Sequence, residues 1–305
     1  MPRKKALVVV IIVALALAAI SFVGGSVGAM ITGSEPLSIF DVSKPHVELA
    51  AEKPFPGLPI TNTMMAAWVS ISVLVAVFLA GTRKMKMVPT GLQNAIEFLC
   101  EAASDFITDV AGEENERRFF ALVLTIFLFV LANAWVGLIP GFGSLKLSGT
   151  PLLRNANTDI NVPLMLALVS VVSIECWGFR AKGGGYLKTF VNVGQLGQGF
   201  VQPSKGKIEA GLGGVFYGII SAFAGVLELL SHLVRVVSFT FRLFGNMTAG
   251  LILTGVMIFV VPLVVPFVFY GLEALFGLVQ ALIFSGLTLV FGYAAVMASE
   301  GQGKF

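Results

Sequence analysis

Residues 228–246 read Glu228-Leu-Leu-Ser-His232-Leu-Val-Arg235-Val-Val-Ser-Phe-Thr-Phe-Arg242-Leu-Phe-Gly-Asn246, inside an apolar region that runs from about residue 215 to residue 261. At 100° per residue, Glu228, His232, Arg235, Arg242 and Asn246 fall within roughly an 80° arc of one helix face. An ionised group within a membrane costs at least ~2.5–3.5 kcal/mol on insertion scales, so such groups indicate a functional site. A helix that is apolar all round except for one acid–imidazole–guanidinium stripe is what an ion path through a membrane requires.

The chain as a whole has the composition of a membrane protein. Of its 305 residues, 56% are hydrophobic and only 12% are charged, against about 25% charged in soluble domains. The apolar runs reach 18 residues or more without alternation, so membrane-spanning helices are favoured over a β-barrel. We therefore predict an all-α polytopic membrane protein.

Several classes of function receive no support. The net charge is +3 and the basic residues form short clusters beside apolar runs, which does not indicate nucleic-acid binding. Cys100 and Cys176 lie 76 residues apart with no second ligand pair, which favours packing thiols over a disulfide or a metal site. No Walker motif is present, so we expect no bound nucleotide, no other cofactor and no catalytic site of the chain's own.

The amino-terminal segment has two interpretations. The basic stretch Met1–Lys5 precedes an apolar run, Ala6–Ile31, as in a secretory signal, and Val27-Gly28-Ala29 would serve as a weak cleavage site. The run is long for a signal peptide, which favours an uncleaved anchor. We therefore divide the chain into an anchor (or signal-like) helix with a proline-rich outer loop, residues 1–62, and a membrane domain, residues 63–305.

Three shorter apolar runs follow, and a helix of another kind lies among them. The runs are Thr63–Gly81, Phe119–Ile139 and Val162–Phe179. Thr90–Val110 instead repeats apolar residues at helical spacing with four acidic residues between them. That pattern predicts an amphipathic helix too polar to span, lying on the membrane surface or against a partner.

The region Leu212–Ser299 is almost continuously apolar, and its strong helix breakers are Pro262 and Pro266. Two helices of roughly 35–45 residues would each be roughly 50–65 Å long, about twice the ~30 Å hydrocarbon core. Either each half is two broken spans, or both helices are steeply tilted. The broken-span interpretation needs three buried turns, and the sequence offers one convincing turn.

Lysine and arginine residues near the span ends predict the orientation. With the amino terminus inside and each long terminal helix crossing once, fourteen basic residues fall inside and four outside. The four outer residues are Lys44, Lys53, Lys146 and Arg154. This bias favours six crossings with both termini cytoplasmic, although four crossings in the last region would leave the carboxyl terminus on the same side.

Arg242 is the centre of the polar stripe. An arginine does not deprotonate in a protein, so it is a fixed positive charge and cannot be a relay member. It can hold a nearby carboxylate ionised and repel a proton on the same path. The alternative is a structural arginine neutralised by Glu228 or Glu273, and the residues alone leave both interpretations open.

Two acids lie on opposite sides of this cation. In the predicted orientation Glu228 lies in the inner half of its helix, whereas Glu273 lies in the outer half of the next helix, with Gln280 deeper on the same face. Two separated carboxylates with a permanent cation between them would form two proton-accessible regions that do not connect. Alternatively, Glu273 is a single buried acid paired with Arg242 or Arg235. His232, four residues after Glu228, could share its proton, and so few ligands disfavour a metal site.

The block Ser238-Phe-Thr-Phe-Arg242-Leu-Phe-Gly-Asn246-Met-Thr-Ala-Gly250 closely resembles the signature of subunit a of F-type ATP synthases, the membrane stator subunit that faces the rotating ring of c subunits. The similarity covers roughly residues 60 to 300. Further matching segments are Asn133–Gly141, Asn157–Leu164, Gln280–Phe284 and Met297–Glu300.

The resemblance carries several implications. Residues 212–299 would form two long, steeply tilted helices that wrap the ring, and Arg242 would be the essential arginine opposite the ring carboxylate. Glu228, Asn246 and Gln280 match polar positions that line the path. The partners would be the c-subunit ring, the peripheral stalk subunit b, the lipid bilayer and protons, and the location the bacterial plasma (inner) membrane.

This sequence departs from the family's pattern at one place. Many members carry an ionisable residue nine positions after the arginine, paired with one on the next helix. Here the first position is Leu251 and only the second, Glu273, is ionisable. The outer relay would therefore depend on Glu273 with water and Asp159. The run Ala6–Ile31 is also outside the usual pattern.

Two other classes compete with this interpretation. An ion-coupled secondary transporter would use the same buried charges for a substrate, but it should show internal repeats with broken helices, and the sequence has none. A purely structural assembly subunit would tolerate Arg242→Ala, because its charges would serve packing alone.

Overall fold

A computed structural model describes residues 2–33, 50–55, 57–139, 142, 145–147, 150–183 and 208–300. Residues 34–49, within the proline-rich outer loop predicted before residue 63, lie outside the described residues, as do residues 184–207. The helices are α1 Pro2–Gly24, α2 Ser26–Thr32, α3 Asn62–Thr82, α4 Leu92–Ala111, α5 Glu113–Gly137, α6 Asn161–Lys182, α7 Ile208–Val260 and α8 Val265–Glu300. Between α5 and α6 lie a β-hairpin and a 3₁₀ helix. The hairpin pairs two antiparallel strands of two residues each, β1 Lys146–Leu147 and β2 Thr150–Pro151, and the 3₁₀ helix is Ala156–Thr158.

Six helices in the described part of the chain are long and apolar enough to cross a membrane. They are α1, α3, α5, α6, α7 and α8, so the predicted all-α polytopic fold is confirmed. The amphipathic helix predicted over Thr90–Val110 is α4, which is not among the six. The steep tilt of the last two helices and the division at residue 62 stay predictions.

The apolar run at residues 6–31 is not one helix. The run divides at Gly25, which has an extended backbone and is the N-cap residue of α2. Two consecutive glycines, Gly24 and Gly25, have weak helix propensity and so favour a break there. α5 also begins earlier than predicted, at Glu113, since three acids in its first turn favour a helix amino terminus.

The last apolar region forms two uninterrupted helices, so the interpretation of each half as two broken spans is wrong. α7 has 53 residues, more than predicted, and α8 has 36. The turn between them contains Pro262 and a residue with positive φ, Val264 (φ 69°). Pro266 falls in the first turn of α8, where a missing backbone N–H costs nothing.

The chain divides into two compact units, and the first comprises residues 1–85, 127–160 and 242–282. In this unit the loop that precedes α6 is bonded to the helices around it. The Thr63 hydroxyl of α3 donates to Asp159 Oδ2 at 3.0 Å, and Asn157 Nδ2 donates to the Val130 carbonyl of α5 at 3.5 Å. These bonds satisfy buried polar groups that an irregular segment would otherwise leave without partners.

α5 and α8 approach closely within the first unit. A Cβ at Gly277 would lie 2.6 Å from the Ala134 Cβ, so only glycine fits there. Beside it, Trp135 Nε1 donates to the Ala274 carbonyl of α8 at 3.1 Å. These two contacts hold the part of α8 that carries Glu273 and Gln280.

The second unit comprises residues 86–126, 161–241 and 283–305. Its core lies among α4, α5, α6 and α8, where the Phe119 and Trp177 rings meet edge to face at 4.6 Å. The Ser170 and Thr288 hydroxyls are bonded at 2.7 Å, which joins α6 to α8. Both cysteines are free, and burial raises the pKa of the Cys100 thiol on α4.

Two glycines of α8 in the second unit predict opposite changes in stability. A Cβ at Gly292 would lie 2.7 Å from the Trp177 ring, whereas one at Gly286 would meet Phe106 at an ordinary 3.5 Å. We expect Gly292→Ala to lower the free energy of unfolding by about 1–3 kcal/mol through overpacking. Gly286→Ala should leave it unchanged or raise it by up to roughly 1 kcal/mol, because alanine favours the helix. Unfolding in detergent measures both, and equal effects would contradict this packing.

Candidate functional site

A cavity of about 360 Å³ lies within the first unit. Its walls come from the segment after α5, from α7 and from α8. The lining residues used below are Arg154 from the loop, Leu251 and Thr254 from α7, and Tyr270 and Glu273 from α8. A cavity of this size admits several water molecules beside a carboxylate, a phenol and a guanidinium.

Glu273 is buried, with 8% of its surface exposed. Its Oε2 accepts a hydrogen bond from the Thr254 hydroxyl at 3.1 Å. A Cβ at Gly250 would lie 3.3 Å from Glu273 Oε1, so the glycine lets the carboxylate lie against α7. A buried carboxylate with one hydroxyl partner at a cavity wall can exchange a proton with water in that cavity.

Leu251 stands where the family resemblance would place an ionisable residue, and a different residue of α7 makes the polar contact here. Leu251 lines the same cavity as Glu273, and the polar contact from α7 comes from Thr254, three residues further along that helix. The hydroxyl can accept or donate a hydrogen bond but carries no charge. Glu273 therefore supplies the carboxyl group that α7 and α8 contribute to this cavity.

Asp159 is buried, at 5% exposure, and its carboxylate accepts from Thr63 in the first unit. It lies outside the residues that line the cavity. A relay that includes both Asp159 and Glu273 therefore stays a prediction. Arg154, which does line the cavity, donates to the Thr158 hydroxyl at 3.1 Å and to the Ala50 carbonyl at 3.1 Å.

Asn246, one turn beyond Arg242 on α7, is hydrogen-bonded to Gln280 of α8. Asn246 Nδ2 donates to Gln280 Oε1 at 2.8 Å, and Gln280 is 1% exposed. Buried Leu243 and Met247 flank this bond along α7. Arg242 itself is half-buried, and the part of α7 that belongs to the first unit begins at this residue.

A second group of ionisable side chains lies within the second unit. His232 Nε2 is 3.3 Å from Glu228 Oε1, as the shared helix face predicts, and His232 Nδ1 contacts Glu175 Oε1 on α6. The imidazole is 12% exposed, Glu175 is 24% exposed and Glu228 is 47% exposed. We call these three side chains the inner acid–imidazole group.

Arg235 lies over the Phe291 ring of α8, with 4.0 Å from its Cζ to the ring centroid. The contact is a cation–π interaction, which places a guanidinium in an apolar region through the face of an aromatic ring. Glu273, for its part, bonds to Thr254. The pairing of Glu273 with Arg242 or Arg235, the alternative that the sequence leaves open, stays a prediction.

The sequence did not point to three polar residues of these sites: Thr254 and Arg154 at the cavity, and Glu175 in the inner acid–imidazole group. Glu175 carried a usable signal, since it is the sole acidic residue between positions 162 and 179 and an ionisable group in a membrane span indicates function. Thr254 carried none, because threonine in an apolar helix commonly bonds to its own backbone. In the described part of the chain, no three His, Cys, Asp or Glu side chains are arranged to hold a metal ion.

Comparison with known proteins gives consistent matches. A family profile described as ATP synthase A chain matches residues 64–292. A protein named ATP synthase subunit a from Gloeobacter violaceus is 34% identical over 237 residues, which is 77% of this chain and 83% of that protein. A protein of the same name from Helicobacter pylori is 31% identical over 224 residues, 73% of this chain and 84% of the relative.

Substitutions of Thr254 test the geometry of the buried acid. Thr254→Val keeps the shape but leaves the Glu273 carboxyl without its hydroxyl partner, so we expect the free energy of unfolding to fall by about 1–3 kcal/mol. Thr254→Ser is the matched control, because it retains the hydroxyl. Unfolding of the detergent-solubilised protein by a denaturing detergent measures both, and equal stabilities would refute the Thr254–Glu273 bond.

Proposed function

The chain belongs to the ATP synthase A chain family, and from this membership we propose that it conducts protons past the rotor of the membrane (Fo) sector through two half-channels separated by Arg242. The observation that carries the proposal is the order of groups along α7. The inner acid–imidazole group comes first, Arg242 follows, and Thr254 at the Glu273 cavity comes last. The Glu273 cavity lies within the first compact unit, and the inner acid–imidazole group lies within the second.

The outer half-channel would be the cavity at Glu273. A proton from outside would reach the Glu273 carboxyl through water in the cavity and pass to a carboxyl group of the ring. Burial against α7, the single hydroxyl bond to Thr254 and the adjacent cavity support this role. Leu251 would be part of the wall and take no proton.

The inner half-channel would begin at Glu228 and His232. After almost a full turn of the ring through lipid, the proton would leave the ring carboxyl and reach this group, whose members are partly exposed. Arg242 would hold the emptied ring carboxylate ionised and repel any proton on a direct path between the half-channels. The Asn246–Gln280 bond would fix the polar surface next to the arginine.

The energetic requirement explains why the two paths must stay separate. One elementary charge that crosses 100 mV releases about 2.3 kcal/mol, so the synthesis of one ATP needs several crossings. A leak past Arg242 would dissipate that energy without turning the ring. A fixed cation that cannot release its own proton is suited to this place.

The remaining assignments belong to the same proposal. Arg242 would face the ring of c subunits, the stator would be completed by the peripheral stalk subunit b, and the chain would lie in a bacterial plasma (inner) membrane with both termini cytoplasmic. The excess of basic residues on the inner side of the six spans supports this orientation. Nucleotide would be bound by other subunits.

Arg242 substitutions test the central claim. In inverted membrane vesicles that contain the assembled complex, we expect Arg242→Ala to reduce ATP-driven proton pumping by on the order of a hundredfold or more, as when one preorganised charge or donor is removed from a reaction path. Arg242→Lys should also be impaired, because an ammonium lacks the planar, permanently charged fork. Subunit content, measured by immunoblot, is the control. Near-normal coupled pumping in both variants would sink the mechanism and favour a purely structural arginine.

A comparison of Glu273 with Leu251 tests the outer half-channel. Glu273→Gln removes a buried proton acceptor of nearly the same shape, so we expect pumping to fall by on the order of a hundredfold. Leu251→Ala enlarges the cavity wall and should change the rate far less. Initial rates of dye quenching in inverted vesicles give the ranking, and the reverse order would move the outer relay to other residues.

A further inference from the structure

We propose that Glu175 on α6 is a proton-exchange group of the inner half-channel, which acts together with His232 and Glu228. This inference rests on the proposed function and extends the inner path from one helix to two. Its basis is the contact between His232 Nδ1 and Glu175 Oε1, with Glu228 Oε1 on the opposite ring nitrogen at 3.3 Å.

Both nitrogens of one imidazole are thus engaged by carboxyl groups. Each ring nitrogen can hold a hydrogen or accept a hydrogen bond, and a carboxyl can do the same. A proton can therefore lie on either carboxyl or on the imidazole between them.

Such a group can pass a proton from one carboxyl to the other. A proton delivered to Glu228 from the ring side and a proton released to water from Glu175 leave the number of protons on the group unchanged. The two carboxyl groups are the more exposed members and the imidazole between them is the less exposed one. In this proposal the carboxyls exchange protons with water, while the imidazole connects them.

The neighbouring charge on α7 has a partner of its own, and the acid on α6 lies in an apolar stretch. From α7, the nearby charge is Arg235, one turn after His232 and held over the Phe291 ring of α8. From α6, the charge is Glu175 itself, which lies in an otherwise apolar stretch between Val162 and Phe179. An acid retained in such a stretch is costly unless it has a partner or a function, and its contact with His232 places it in the inner group.

The test measures ATP-driven pumping in inverted vesicles, whose medium bathes the cytoplasmic side, as a function of the pH of the medium. For Glu175→Gln we expect a roughly tenfold lower rate, less than for the loss of a sole acid or base because two members of the group remain. The deficit should grow as the pH of the medium rises. At a lower proton concentration, the rate of proton uptake depends more on each group that can accept a proton. Cys176→Ala, an adjacent exposed position on α6, is the control and should pump as the unmodified chain does.

Glu175→Asp is the second variant, which keeps the acid but withdraws it from the imidazole by one methylene. We expect it to pump faster than Glu175→Gln, with a pH profile still displaced from that of the unmodified chain. A profile superimposable on the unmodified one, in whichever of the two variants assembles, would overturn the inference. Arg242→Ala separates a failure of the proposed function from a failure of this inference. If Arg242→Ala abolishes pumping while the Glu175 variants pump as the unmodified chain does, the proposed function stands and the role of Glu175 is wrong.

Discussion

The cost of an ionised or unsatisfied polar group in a hydrocarbon environment governs this structure. Glu273, in a membrane-crossing helix, is bonded to Thr254, and the His232 ring lies between two carboxyl groups. Arg235 lies against an aromatic face. Because each partner comes from another turn or another helix, the polar groups constrain how the helices pack.

Close approach of helix backbones makes these pairings possible. Gly250 lets the Glu273 carboxyl lie against α7, and Gly277 lets α8 lie against Ala134 of α5. In the second unit Gly292 gives room to the Trp177 ring. Without a hydrophobic force between helices in lipid, packing of this kind and hydrogen bonds between helices must supply the association.

The sequence predicts the architecture well because span length and apolar continuity are local properties. Six spans, the amphipathic α4 and the break near Pro262 follow from runs of residues, and the shared face of Glu228 and His232 follows from helical period. The pairing of helices is not local. Periodicity shows that His232 faces one direction, but it does not show that α6 brings Glu175 to that face. In the same way, Leu251 suggested a missing polar group, whereas Thr254 supplies one from the next turn. Helix ends were also misjudged where glycine pairs or acidic first turns decide them, as at Gly25 and Glu113.

The unbroken course of α7 has a mechanical consequence. Its 53 residues correspond to roughly 80 Å of helix, without the proline or change of helix type that usually causes a sharp kink. The rise per residue of a helix is fixed by its backbone hydrogen bonds. Under the proposed function, the spacing along α7 between the inner acid–imidazole group, Arg242 and Thr254 would therefore stay constant while the ring turns.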